Sequence, residues 1–413
     1  MTSEKPERRP GLLVLASTYP RWESDHEPGF VHELCRRLAS RFDVVVVTSS
    51  SPGAALEETM DGVHVVRYRY APRPLETLVY GGGIATHIKR SPWKLFWLPT
   101  FVIGQYLAAR RVLRGRRIDV VHAHWLIPQG MIARRLARTT GIPYVVTSHG
   151  GDLFGLRGRW LEILKRRVAG SSSAMTVVST AMRAEAIRIG LHPPRLAVLP
   201  MGVDLRERFV ADAQVERARD ELLFVGRLVP KKGLPHLLDA MPAVLAVRPE
   251  ATLTIAGFGP EESSLRMQAQ QLGIENHVNF LGAMPQESLP ALYRRASIFV
   301  APFIRDDSGN QEGLPVVLME AIGCGCPVIV GEVAGVRDLL GDAANEVCVD
   351  PRDTQAFASA ILATLDDPAN AQERARMIRL AAAGRVDWQV IADGYAGLLE
   401  GCVRDVVAKG AQA

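Results

Sequence analysis

Between Ile298 and Val330 the chain spells out strand, loop, helix and strand in an order that leaves few folds open. Ile298-Phe-Val-Ala301 is an apolar run of strand length, and residues 302–311 form a loop. Pro315 stands where a helix begins, at the position where its missing N–H costs nothing. The helix runs to about Ile322, Gly323 and Gly325 end it, and Pro327-Val-Ile-Val330 is the next strand. The same alternation recurs along the chain. In the first half, apolar strand runs at 12–16, 43–48, 63–70, 119–124, 143–147 and 174–178 are separated by helical stretches such as 30–40 and 128–140. In the second half, strands at 222–225, 252–256 and 278–281 alternate with helices at 234–248, from 261, and at 288–295. Asp353 reads as the N-cap of a helix over 354–365, and 388–408 is helical. The pattern predicts an α/β protein with two doubly wound parallel sheets. At 413 residues the chain has room for both.

The chemistry gathers at strand ends, where open α/β sheets bind their ligands. The start of the helix at Pro315 offers free backbone N–H groups to an anion. Glu312 lies just before that start and Glu320 two turns inside. Carboxylates do not hold phosphate; they are strong acceptors for sugar hydroxyls. Arg227 and Lys232 lie five apart in a turn bounded by Gly226 and Gly233, with Lys231 adjacent. They read either as a clamp for a leaving group of high negative charge or as surface cations. His149 follows a strand and precedes two glycines, so it is expected to be exposed; the alternative is a structural histidine bonded to backbone. His122 and His124 are read as structural. Gly29 opens a helix and either admits a phosphate close to backbone or serves packing alone. Cys324 and Cys326 read as small buried residues, and no His/Cys cluster has zinc spacing.

The stretch Glu312-Gly-Leu-Pro-Val-Val-Leu-Met-Glu320, with Gly-Cys-Gly-Cys-Pro-Val-Ile after it, resembles the Glu-x7-Glu signature of family 4 glycosyltransferases. The resemblance covers nearly the whole chain and is most specific from 222 to 340. It implies the GT-B fold, two Rossmann-like domains facing a central cleft. It divides the chain into an acceptor domain at 1–204, a nucleotide-sugar domain at 205–385 and a C-terminal helix at 386–413 that packs back on the first domain. It assigns the donor ribose to Glu320, the transferred sugar to Glu312 and His149, and the diphosphate to Arg227 and Lys232. The backbone of Gly29, Gly226, Gly313, Leu314, Pro315, Val316 and Val317 would face the donor. The activity implied is retaining transfer of a hexose from a nucleoside-diphosphate sugar to a glycan or lipid-linked acceptor, with no cofactor. A sugar-nucleotide epimerase and a non-catalytic sugar-nucleotide-binding subunit are the alternatives. Metal independence is expected because the chain has no Asp-x-Asp, and no Walker loop or Gly-x-Ser-x-Gly is present. Three positions depart from the family pattern: Met201 where Asn is common, Ala334 before Gly335 where Gly-Gly is usual, and Asp338 where Glu is common. The loop 305–311 is also long.

Charge is distributed unevenly. Residues 1–200 carry 29 Lys+Arg against 15 Asp+Glu, a net of +14, while the remainder carries 20 against 29, a net of −9. The first half is therefore expected to face something anionic. Trp93 to Ala109 is apolar and aromatic and is followed by Arg110, Arg111, Arg114, Arg116 and Arg117. It is too short and too interrupted to span a membrane. It reads either as a core helix or as a surface held against anionic lipid. The expected location is the cytoplasm, peripheral on the inner membrane face, with no nucleic-acid partner. Residues 205–220, polar and charged, read as a hinge.

Overall fold

The computed structural model describes residues 8–23, 25, 29–80 and 83–410. Residues 1–7, part of the loop after the first strand and the first two glycines of 81–83 lie outside the described residues. The chain forms two compact units. The first comprises residues 1–177, 183–199 and 392–413, and the second comprises 178–182 and 200–391.

The first unit is built on an eight-stranded sheet: β1 (Gly11–Leu15), β2 (Asp43–Ser49), β3 (Glu57–Met60), β4 (Val63–Tyr68), β5 (Val120–His124), β6 (Tyr144–Ser148), β7 (Ala174–Val177) and β8 (Leu196–Val198). The order is β3-β4-β2-β1-β5-β6-β7-β8. Its central strands are continuous Val/Leu runs buried on both faces, as parallel strands covered by helices must be. The sheet departs from the all-parallel expectation at one edge, where β3 pairs antiparallel to β4. Its sequence, Glu-Glu-Thr-Met, has no apolar run, because an edge strand that faces water is kept polar. The helix Trp388–Gly410 contributes to this unit from Ala392 onward: Tyr395 Oη donates to the Leu199 carbonyl at 2.8 Å, and Arg41 pairs with Glu400 at 2.7 Å.

The two readings of the aromatic segment each describe one face of it. In the helix Leu98–Gly115, Phe101, Gln105, Ala108, Ala109 and Val112 are buried. Gln105 donates to the carbonyls of Ala16 and Val47 at 2.9 and 3.0 Å, which anchors the helix beneath the ends of β1 and β2. The opposite face carries Ile103, Leu107, Arg110, Arg111 and Arg114, all exposed, and the preceding turn adds exposed Trp93, Leu95 and Phe96, the last at 79 %. Among the described residues no helix is long and apolar enough to cross a membrane.

The second unit has five parallel strands, β9 (Glu221–Val225), β10 (Thr252–Ala256), β11 (Val278–Gly282), β12 (Ile298–Ala301) and β13 (Val328–Val330), in the order β11-β10-β9-β12-β13. The strand order reverses between β9 and β12, so the ends of these two strands flank the crevice where doubly wound sheets take ligands. Asp353 caps its helix as expected, accepting from the Ala356 N–H at 2.9 Å. In residues 205–220, read from their polarity as a hinge, Arg217 is held in place by helix ends. Arg217 donates to the carbonyls of Tyr293, Arg294, Ala296, Cys324 and Gly325 at 2.7–3.2 Å, tying the segment to the ends of two helices. Helix C-termini leave carbonyls without donor partners, and one guanidinium satisfies several of them.

Candidate active site

In the second unit the turn after β9 and the loop after β12 converge at the switch point. Gly233 has φ +66°, and a Cβ there would lie 1.9 Å from the Pro302 carbonyl oxygen, so only glycine lets the two segments meet. The contact seats the short helical turn Pro230–Lys232 against the loop that carries Glu312. Glu312 Oε1 accepts ion pairs from Lys231 Nζ at 3.0 Å and Lys232 Nζ at 3.3 Å. Both adjacent lysines therefore reach the same carboxylate oxygen. Lys232 is buried at 8 % exposure, with Nζ 4.6 Å from the Phe303 ring centre. Arg227 contributes a third positive charge that both Lys232 and Glu312 feel.

The balance of these charges is lopsided. Burial pushes the Glu312 carboxyl up, but Lys231, Lys232 and Arg227 outweigh it and hold it down at about 2. Burial pulls the Lys232 ammonium down from its ordinary range, and one carboxylate does not restore it while two other cations oppose it. Lys231, Lys232 and Arg227 all act on one half-buried carboxylate, a concentration of positive charge that suits a further anion.

The helix Val316–Gly323 starts beside this cluster, with Pro315 as its N-cap rather than its first residue. Gly313, Leu314 and Pro315 are buried, and Val316 and Val317 are half-exposed. The amides of Val316 and Val317 open the helix and have no intrahelical acceptor. Gly335, at φ +83°, packs where a Cβ would lie 2.2 Å from the Gly313 carbonyl oxygen and so holds the loop in place. Glu320 is 2 % exposed, with Oε1 accepting from Gln286 Nε2 at 2.5 Å and Oε2 from Tyr293 Oη at 2.9 Å. Burial raises the Glu320 carboxyl, and the two hydrogen bonds oppose that rise. Gln286 and Tyr293 were not singled out in the sequence, since nothing local to them announces a contact 27–34 residues away.

The first unit carries His149 and Gly29. His149 is half-buried rather than exposed, lying between Phe30 and Trp125 with ring centres 5.0 Å from each. Its loop is fixed by Asp152, whose Oδ1 accepts from Ser148 Oγ at 2.8 Å and His149 N at 3.2 Å, while Oδ2 accepts from Leu126 N at 2.7 Å. His124 lies against His149. Its Nδ1 meets His149 Nε2 at 2.9 Å with the rings nearly parallel, and its own Nε2 is buried without a partner. A buried orphan N–H is rarer than a buried orphan acceptor, so His124 Nδ1–H donates and His149 carries its proton on Nδ1. Burial pulls His149 down to about 3, so its imidazole is neutral near pH 7. Its Nδ1 makes no hydrogen bond among the described residues. Gly29 has φ −86°, and a Cβ there would meet nothing closer than Pro20 at 3.8 Å. Neither conformation nor packing demands a glycine at this point. The free cysteines Cys324 and Cys326 are buried, as expected. Among the described residues no group of three or more His, Cys, Asp or Glu is arranged to hold a metal ion.

Comparison with known proteins bears on both units. The family model described as "Glycosyl transferases group 1" matches residues 206–383, and "Glycosyltransferase Family 4" matches residues 30–207. The chain is 29% identical over 402 residues to a glycogen synthase of Mycobacterium tuberculosis, covering 93% of each chain. It is 31% identical over 277 residues to a GDP-mannose-dependent alpha-(1-6)-phosphatidylinositol monomannoside mannosyltransferase of Mycolicibacterium smegmatis, covering 64% of this chain and 72% of that one. The solved structure of sucrose-phosphate synthase from Thermosynechococcus elongatus superimposes with a TM-score of 0.76 at 21% identity, covering 97% of this chain and all of the other.

Proposed function

The chain belongs to the group 1 glycosyltransferases of family 4, with the GT-B fold, and from that premise we propose that it is a retaining hexosyltransferase that draws its sugar from a nucleoside diphosphate. The observation that carries the reading is the cluster of Lys231, Lys232 and Arg227 around Glu312 at the β9/β12 switch point. A diphosphate brings negative charge to that cluster. Arg227, Lys232, the Gly226 turn and the Val316 and Val317 amides receive it, and they stabilise the charge that grows as it departs. Glu320, oriented by Gln286 and Tyr293, accepts from the ribose hydroxyls. Glu312 accepts from the hexose. In the first unit, His149 offers its Nδ1–H to a sugar oxygen. In the transfer the bond from the anomeric carbon to the diphosphate oxygen breaks, and the bond to the acceptor oxygen forms on the same face. The acceptor hydroxyl proton passes to the departing phosphate. No metal ion or cofactor is required in this reading, so activity persists in EDTA. Loss on chelation with recovery in Mn²⁺ or Mg²⁺ overturns that part.

The acceptor is a glycan or a lipid-linked sugar. One exposed face runs from Phe96 through Ile103 and Leu107 to Arg110, Arg111 and Arg114, with aromatic residues at one end and guanidinium groups at the other. Aromatic side chains favour the headgroup level and cations favour anionic lipid, which supports peripheral attachment on the cytoplasmic face.

The test is a thermal-shift panel of UDP-, GDP- and ADP-sugars. A donor at about 100 times its dissociation constant adds about 2.7 kcal/mol of stability. One sugar nucleotide is expected to raise Tm, and Arg227→Ala is expected to remove the effect. If none of them does so, the reading falls. Stabilisation with conversion of the donor in the absence of acceptor indicates an epimerase, and stabilisation with no turnover indicates a binding subunit.

A further inference from the structure

At the C-terminal ends of β2 and β4 lies a cavity of about 330 Å³ lined by Ser50, Ser51, Gly53, Arg69, Arg73 and Glu76, among others. Its size falls within the range of small-molecule sites. Glu76 is 3 % exposed and only half satisfied. Both of its hydrogen bonds fall on Oε1, from Ser50 Oγ at 2.6 Å and Arg69 Nε at 3.3 Å. Oε2 makes no hydrogen bond among the described residues, and Glu76 is one of the residues that line the cavity. The Arg73 guanidinium on the rim makes no ion pair among the described residues. Trp22, 42 % exposed, lies 3.6 Å from where a Cβ on Gly53 would stand, and its indole is held by the Arg21 guanidinium at 4.4 Å.

We propose that this cavity is a second carbohydrate site, which takes a pyranose unit of the acceptor glycan remote from the point of transfer. A sugar hydroxyl donates to Glu76 Oε2, a charge-assisted bond to a preformed acceptor. Ser51 and Arg73 donate to ring and hydroxyl oxygens, and the apolar face of the ring lies on the Trp22 indole. The strands β2, β1, β5 and β6 are parallel neighbours, so the cavity and His149 open at the same edge of one sheet. Three strand spacings separate them, about 14 Å. An acceptor of several sugars reaches from one to the other, whereas a monosaccharide does not. The inference rests on the glycosyltransferase reading for the word acceptor, but the site stands on its own geometry.

The experiment is calorimetric titration of the full chain, without donor, using maltotriose and α-1,6-mannotriose. These follow the glucan and the mannoside for which two relatives are named. At least one is expected to bind saturably, and affinity is expected to fall at least tenfold in Glu76→Gln, which replaces the carboxylate with an amide, and in Trp22→Ala, which removes an exposed ring. Arg73→Ala, at an exposed residue of the cavity lining, gives a smaller loss. If neither saccharide binds, or if binding is unchanged in Glu76→Gln and Trp22→Ala, the site is overturned. The sugar-nucleotide thermal shift of the same samples keeps this outcome separate from failure of the proposed function, because the variants are expected to leave it intact.

Discussion

Glu312 Oε1 lies 3.3 Å from Nζ of Lys232, an ion pair formed by a lysine that is almost wholly buried. The two partners respond to it differently: the carboxyl is held far below its usual range and the ammonium is also lowered. The pair therefore favours ionised Glu312 without fully compensating Lys232, for which burial is the larger influence.

Replacing Glu312 with Gln leaves Lys231 and Lys232 without their carboxylate partner. The cost is roughly 3 kcal/mol, since removing one member of a buried pair strands the other. A carboxyl whose folded pKa is depressed stabilises the fold above the unfolded value, and that stability is lost as pH falls through the folded value. Wild type is thus expected to lose more stability than Glu312→Gln between about pH 4.5, near the usual carboxylate range, and pH 2. Urea midpoints across that interval measure the difference, and equal slopes would show that the carboxylate is not held by the lysines.

Tyr293→Phe removes only the hydroxyl that donates to Glu320 Oε2. A net loss of about 1 kcal/mol in stability is expected. Glu320→Ala costs more, roughly 1–3 kcal/mol, because buried Tyr293 and half-buried Gln286 both lose their acceptor. If Glu320 holds the ribose, Tyr293→Phe weakens nucleotide binding severalfold while the thermal transition stays cooperative. Unchanged nucleotide affinity in both variants would remove Glu320 from the donor site.

His149 is expected to contribute no limb to the pH–rate profile near pH 6.5, the usual range for histidine. Burial lowers it to about 3, so the neutral imidazole persists through the working range. The linkage runs opposite to that of a paired histidine: its contribution to stability is full above the unfolded pKa and declines as pH falls toward the folded value. Nitrogen-15 NMR of the imidazole is expected to show the proton on Nδ1, and His124→Phe is expected to abolish that preference. A titration of His149 near neutrality would refute the assignment.

Sedimentation with anionic liposomes examines the aromatic and arginine face. Binding is expected at low salt and should fall steeply as salt rises, since each cation near an anionic surface contributes about 1 kcal/mol within a Debye length. Arg→Glu at positions 110, 111 and 114 together is expected to abolish it, as is Phe96→Ser in part. Protein left in the supernatant at low salt would mean that the acceptor is met in solution.

The sequence by itself determined what a few neighbouring residues decide. Valine runs specify buried strands, Asp353 caps a helix through its own side chain, and the eight-residue spacing from Glu312 to Glu320 places one carboxylate before a helix and one two turns inside it. It also marked Gly233 and Arg227 as a turn at a strand end. These signals are local because backbone dihedrals and capping bonds are settled within a turn or two of chain. The edge strand β3 escaped notice because a solvent-facing edge has no apolar run to reveal it. Only the tertiary structure decided which groups meet. The fold brings Lys231 and Lys232 to a carboxylate some eighty residues away because β9 and β12 are neighbours at the switch point. It sets His124 against His149 because β5 pairs with β6, and it spends Arg217, in an apparently loose segment, on five carbonyls. It places Glu76 in the lining of a cavity. Such contacts depend on strand order and on which side chains lose water together, and neither is written in the residues on either side.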